Sequence, residues 1–361
     1  MRAVRARTVL GATVATALLL CVPGQTQGAG TRHARLDHAA RSGGGEWRFV
    51  RTRGKTRCAH GGRFGFWTRL ADLRKLLVYF EGGGGCFSYE TCAPGSRWFD
   101  PVVNEEDDPV HFGGIFELTN PDNPFRGWSM VMIPSCTGDV FVGSTDHTYR
   151  EGRKSVTIHH RGWFNGEAAV RWAFRHVPRP ERVLVTGTSA GSVGSAFHAP
   201  GIVDRYGAVR TSQLGDSLAF VFPRPLRLTQ YHGLDHLPAW MRGDARLRPG
   251  RFTMVRFLSR LIAHYPKATF SRFNFRADHV QTDFYEQDGG RRSGFTPALL
   301  RAERRLHSLA PPYRSFLACG SRHGILTVHP FFDLRVGRVR LRDWTARIAN
   351  GQPVSSYACR P

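Results

Sequence analysis

Five short apolar runs punctuate an otherwise polar chain. They are Lys75–Glu81 (KLLVYFE), Ser129–Pro134 (SMVMIP), Arg182–Gly187 (RVLVTG), Phe270–Phe275 and Arg314–Ala318. Each is too short for a helix, which predicts buried strands. Between them, Asn165–His176 repeats apolar positions at helical spacing and is predicted to set Ala169, Trp172, Ala173 and His176 on one face. A second helix is predicted from Ser192 onward. Strands separated by helices imply an α/β fold, a mostly parallel sheet with helices on both faces. Two stretches break the alternation. Arg97–Trp128 holds Pro101, Pro109, Pro121, Pro124 and the acidic patch Glu105–Asp108, and Phe220–Arg251 is rich in proline, arginine and histidine. Both are expected to be loop insertions over the sheet, and no internal repeat is present.

The amino-terminal pattern is different. Arg2, Arg5 and Arg7 precede an apolar run from Val9 to Val22, followed by small polar residues. This predicts an export signal over 1–28, cleaved near Gly28–Gly30. A lipoprotein anchor at Cys21 is the rival, against which Leu20 stands where a small residue is expected. Residues 29–46 are expected to be flexible, leaving one domain over 47–361. No later segment is apolar enough to span a membrane. Export changes the meaning of the cysteines. Six follow Cys21, namely Cys58, Cys86, Cys92, Cys136, Cys319 and Cys359. An even number in an exported chain predicts disulfides, with about 15 pairings open. No C-x-x-C or closely spaced Cys/His set suggests zinc, and no metal or cofactor is expected.

The formal net charge of +23 is nearly all arginine and is densest after Arg224. Such an excess favours an acidic polymer as partner. No recognition-helix, zinc-finger or aromatic RNA-binding motif accompanies it, so an acidic polysaccharide or a cell-surface polyanion is expected rather than nucleic acid. The chain is expected to act as a monomer.

The chemistry is carried by three motifs. Gly187-Thr188-Ser189-Ala190-Gly191 is a G-x-S-x-G pentapeptide between a predicted strand and a predicted helix. That is the context of a nucleophile on a sharp turn, where flanking glycines let strand and helix approach. Glu81-Gly82-Gly83-Gly84-Gly85 follows another strand and offers backbone N–H groups unobstructed by side chains. With the N–H of Ala190, the region of Gly83 and Gly84 fits an oxyanion hole. For an acid and a base in the order Ser, acid, His, the candidates are Asp278, with Asp283 and Asp216 as competitors, and His323, with His329 as competitor.

These motifs, together with LVYFEGGGGC (Leu77–Cys86), IPSCTGDVFVGS (Ile133–Ser144), HHRGWFN (His159–Asn165), VTGTSAGSVGS (Val185–Ser195), Gly215-Asp216-Ser217, Asp278-His279-Val280-Gln281 and Gly320–His323, resemble the pectin acetylesterase family, which also includes the animal Wnt deacylase Notum. The resemblance runs from Cys58 to about Ile325 in family order. It implies an α/β-hydrolase-like fold and metal-free hydrolysis of carboxylic esters. It implies Ser189, Asp278 and His323 as catalytic residues and Gly83, Gly84 and Ala190 as oxyanion donors, with Asp278 favoured because Gln281 completes a D-x-x-Q frame. Asp216 and Gln281 are expected to contact substrate. The resemblance also implies the pairs Cys58–Cys136, Cys86–Cys92 and Cys319–Cys359. Two positions depart from the family pattern: Gly85 stands where an aromatic is usual, and Val280 where a tryptophan is frequent. The expectation is an exported serine carboxylesterase removing acetyl or another acyl group, with an acidic polysaccharide such as pectin as a candidate substrate. A lipase-like or polyester-cleaving esterase and a catalytically silent polyanion-binding protein are the alternatives.

Overall fold

The computed structural model describes residues 45–224 and 228–360. The expected export segment, Cys21 and most of the 29–46 segment lie outside the described residues. The chain forms β1 (Arg48–Arg51), β2 (Gly65–Arg69), β3 (Asp72–Phe80), α1 (Tyr89–Cys92), β4 (Trp128–Ile133), the hairpin β5 (Thr145–Glu151) and β6 (Lys154–His160), α2 (Gly162–His176), β7 (Arg182–Thr188) and α3 (Ala190–Tyr206). There follow β8 (Thr211–Asp216), α4 (Met254–His264), β9 (Thr269–Phe275), α5 (His279–Gln287), α6 (Phe295–Leu309), β10 (Arg314–Ala318), the short pair β11 (Arg335–Val336) and β12 (Val339–Arg340), α7 (Leu341–Ala349) and β13 (Tyr357–Ala358).

Nine strands form one sheet in the order β1-β2-β4-β3-β7-β8-β9-β10-β13. The β1–β2 and β2–β4 pairs are antiparallel, and every pair from β4 through β3 to β13 is parallel. Parallel strands covered on both faces need apolar side chains on both, which is why β3, β4 and β7 read as unbroken apolar runs. Leu77, Tyr79, Met130 and Leu184 point to one face, where Trp344 and Ile348 of α7 cover them. Leu76, Val78, Val131 and Val185 point to the other, against Ala169 and Ala173 of α2 and Ile202 of α3. The sheet is thus of the α/β-hydrolase kind, mostly parallel with helices on both faces. Among the described residues, 97–127 and 220–251 are loops carrying short 3₁₀ turns.

Three differences from the sequence expectations have physical causes. In α2 the buried face carries Asn165, Gly166, Ala169, Val170 and Ala173. His176 is exposed and stacks on Trp172 at 4.0 Å instead of entering the core. The strand β8 has no apolar run, yet all six of its residues are buried. Its polar groups find partners: Ser212 Oγ donates to the Ile348 carbonyl at 2.8 Å and Gln213 Nε2 to Ser195 Oγ at 2.9 Å. The hairpin β5–β6 lies outside the main sheet and was not foreseen.

Candidate active site

The carboxyl ends of five consecutive parallel strands converge on one place: Gly82–Gly85 after β3, Ser189 after β7, Asp216 and Ser217 at the end of β8, Asp278 after β9 and His323 after β10. Ser189 joins β7 to α3 with φ 56° and ψ −121°. A left-handed φ is uncommon for a residue with a Cβ, and this one is stabilised by its surroundings. The Ser189 N–H donates to the Asp216 carbonyl at 2.9 Å. A Cβ on Gly187 would lie 2.3 Å from the Gly191 carbonyl oxygen, and one on Gly191 would lie 2.0 Å from that of Phe80. Both glycines of the pentapeptide are therefore required for strand, turn and helix to close.

His323 Nδ1 lies 2.9 Å from both oxygens of Asp278. Asp278 is fully buried and caps α5, accepting from the Gln281 N–H at 3.0 Å and from Gln281 Nε2 at 2.9 Å. The Nδ1 contact leaves Nε2 as the free end of the imidazole, buried and without a hydrogen-bond partner among the described residues. His323 and Ser189 line the same cavity. The competitors are engaged elsewhere. Asp283 is half-exposed and pairs with Arg292 at 2.5 Å, and His329 is exposed and pairs with Glu117 at 3.0 Å.

The glycine loop packs on Ser189. A Cβ on Gly82 would lie 3.3 Å from the Ser189 Cβ, a proximity the uniform run of glycines did not distinguish. Gly84 has φ 71°, and a Cβ there would lie 2.0 Å from the Trp98 carbonyl oxygen. The loop is pinned by Gly85 N–H donating to the Trp98 carbonyl at 2.9 Å and Asp100 N–H donating to the Gly83 carbonyl at 3.0 Å. That pairing does not use the Gly83 and Gly84 N–H groups. Ala190 opens α3, where the first N–H groups have no intrahelical acceptor. Disulfides join Cys86 to Cys92 beside this loop, Cys58 to Cys136, and Cys319 to Cys359. Beneath the loop, burial and the neighbouring Asp107 hold the Glu81 carboxyl well above the usual carboxylate range, and burial pushes Asp107 up to about 6.

Two depressions meet at Ser189 and His323. One is a cavity with apolar walls that include Phe87, Val140, Phe220, Phe222 and Leu228. The other is an open groove lined by Arg97, Trp98 and Asp100. Val140, Ser189, Ser217 and Phe220 all line the cavity, and all have positive φ, between 46° and 58°. Such strain, about 1–3 kcal/mol per residue, concentrates where the surrounding structure dictates a shape. The two departures noted above sit here as well: Gly85 lines the cavity and Val280 the groove.

Asp216 and Gln281, the two expected substrate contacts, are placed differently from each other. Asp216 is fully buried and does not reach the cavity. Its Oδ2 accepts from Thr188 Oγ1 at 2.9 Å and from the N–H groups of Ile325 at 2.8 Å and Leu326 at 2.9 Å. It thus ties the Ser189 turn to the loop after His323, and burial raises its carboxyl above the usual range. Gln281 lines the cavity but spends its carboxamide on protein groups. Ser217, not singled out in the sequence, lines the cavity and accepts the Gly324 N–H at 2.9 Å.

The Pectinacetylesterase family matches residues 46–230, just over half of the chain and including the glycine loop and the Ser189 turn. This chain belongs to the pectinacetylesterase family. Among its relatives, pectin acetylesterase 4 of Arabidopsis thaliana is 31% identical over 124 residues, which are 34% of this chain and 30% of the relative. Palmitoleoyl-protein carboxylesterase NOTUM of Homo sapiens is 25% identical over 182 residues, 48% of this chain and 36% of the relative. The chain therefore spans well under half the length of these relatives. The family also reaches a protein named as inactive, notum1b of Danio rerio, 32% identical over 87 residues.

Proposed function

We propose that this pectinacetylesterase-family chain is an exported serine carboxylesterase, with one esterase domain over 47–361. Ser189 attacks the ester carbonyl, His323 takes its proton and returns it to the leaving alcohol, water deprotonated by His323 then releases the acyl group from Ser189 as the carboxylic acid, and Asp278 holds the imidazole tautomer that makes this work. The N–H groups of Gly83, Gly84 and Ala190 stabilise the developing oxyanion. The observation that carries this reading is the 2.9 Å contact of His323 Nδ1 with a fully buried Asp278, which leaves Nε2 without a partner among the described residues on a histidine that lines the same cavity as Ser189. No cofactor is needed for these steps.

The two depressions divide the ester. The apolar cavity takes the acyl group, and the open groove takes the alcohol, where the Trp98 ring, with the Arg97 guanidinium 5.3 Å from its centre, can stack on a sugar. The arginine excess and the relative named as a pectin acetylesterase support an acetylated acidic polysaccharide as substrate. A second reading, an esterase for longer acyl chains, is favoured by the apolar lining of the cavity and by the relatives named as palmitoleoyl-protein carboxylesterases. A panel of acyl esters and acetylated glycans, assayed with the native chain and Ser189→Ala, separates them. Acetyl preference on acidic glycans supports the first, and long-chain preference on every alcohol supports the second. Hydrolysis undiminished in Ser189→Ala removes both.

A further inference from the structure

The segment leaving β8 forms one wall of the cavity along a strained path, with Ser217 at φ 58° and Phe220 at φ 46°. Two side chains clamp it. From β9, the buried Arg272 guanidinium donates to the carbonyls of Leu218 at 2.9 Å and Ala219 at 3.5 Å. Glu303 and Tyr313 hold that guanidinium in turn. From α5, Gln281 Oε1 accepts from the N–H groups of Ala219 at 2.9 Å and Phe220 at 3.4 Å. The same carboxamide donates through Nε2 to Asp278 Oδ2 at 2.9 Å and Asn274 Oδ1 at 3.2 Å.

The orientation of this amide is dictated chemically. Backbone N–H groups only donate, so an acceptor must face Ala219 and Phe220, and the carboxylate of Asp278 requires a donor. An amide offers two N–H donors and two carbonyl lone pairs, and here both donors and both lone pairs have protein partners. Gln281 therefore has no polar capacity left for a substrate, although it lines the cavity.

We propose that Gln281 is a positioning residue that couples the Asp278 carboxylate to the cavity wall, so that one side chain governs both turnover and acyl selectivity. The proposal rests on the assignment of Ser189, His323 and Asp278 made above. Two substitutions separate its halves. Gln281→Glu keeps an oxygen to accept from Ala219 and Phe220 but sets a second carboxylate against Asp278. Gln281→Met keeps the length of the side chain and removes both sets of hydrogen bonds.

The test is steady-state kinetics of the full chain on p-nitrophenyl acetate and p-nitrophenyl octanoate, with thermal melting of each variant. Gln281→Glu is expected to lose roughly tenfold to a hundredfold in kcat on both esters, with the octanoate-to-acetate ratio of kcat/KM unchanged. Gln281→Met is expected to lose a similar factor in kcat and also to shift that ratio several-fold. The proposal is overturned if Gln281→Met keeps kcat, if it loses kcat at a fixed ratio, or if either variant raises KM alone on both esters, as loss of a substrate contact would. Should Gln281→Met fail to fold, a fall in kcat with native melting in Gln281→Glu sustains the proposal, and native kcat there overturns it. Ser189→Ala is run alongside. If it stays active, the assignment of the nucleophile fails, independently of what the Gln281 variants do.

Discussion

Asp216 Oδ2 accepts from one hydroxyl and two backbone N–H groups while the Asp216 carbonyl accepts the Ser189 N–H, so the Ser189 turn and the loop after His323 share one anchor. Asp216→Ala would strand two buried N–H groups, a loss of roughly 2–6 kcal/mol. Urea denaturation should show it as a fall in midpoint, larger than that for Asp216→Asn, which keeps an acceptor oxygen. The acid and base are tested by comparison with their neighbours. Asp278→Asn and His323→Ala should each lose about 10⁴-fold or more in kcat with folding intact. Asp283→Asn and His329→Ala should stay close to native, because those side chains pair with Arg292 and Glu117 and are well exposed. Greater loss in Asp283→Asn than in Asp278→Asn would refute the assignment. At this scale the pentapeptide and the glycine loop were legible, because each is a local chemical pattern, and the D-x-x-Q frame was legible only through the family resemblance. The hydrogen bonding of Asp216 was not legible, because its partners Ile325 and Leu326 lie over a hundred residues away.

Among the elements, β3, β4 and β7 were legible because burial on both faces writes a continuous apolar run. The strand β8 was hidden because its polar side chains are satisfied by long-range hydrogen bonds that no window of sequence contains. The same distance hid α7, whose Trp344 and Ile348 complete the core at the far end of the chain. The glycine loop brings two predictions. The Cys86–Cys92 bridge spans 6 positions and Cys58–Cys136 spans 78. Chain entropy gives about 2.4 kcal/mol for the first and about 4.5 kcal/mol for the second. Removing Cys58–Cys136 by paired serines should lower the melting temperature more, while removing Cys86–Cys92 should lower kcat more, since it braces the loop beside Gly85. The second prediction concerns pH. Glu81 and Asp107 have carboxyls raised above their unfolded values, so the folded state binds protons more tightly and loses stability as pH rises toward and through about 6. Hydrogen exchange in 97–108 and 81–85 should therefore quicken as pH rises from 5 to 7, beyond the intrinsic pH dependence of exchange. The double variant Glu81→Gln/Asp107→Asn should remove that excess, and an excess that persists there would exclude the pair as its source.

For the whole molecule, the excess of 51 basic over 28 acidic residues acts at a distance that no single contact reaches. On an acetylated acidic polymer, kcat/KM should fall steeply between low and physiological salt, while on p-nitrophenyl acetate it should hardly change. Equal salt sensitivity on both would remove electrostatic attraction as the reason for the charge. The kinetic expectations presuppose that Ser189 is the nucleophile of an esterase. The most direct measurement is labelling of the full chain with a fluorophosphonate, followed by intact mass and peptide mapping. The expected result is a single adduct on Ser189, absent in Ser189→Ala, much slower in His323→Ala, and matched by loss of ester hydrolysis. An adduct on another serine, or ester hydrolysis that persists in a fully labelled or Ser189→Ala protein, would contradict it.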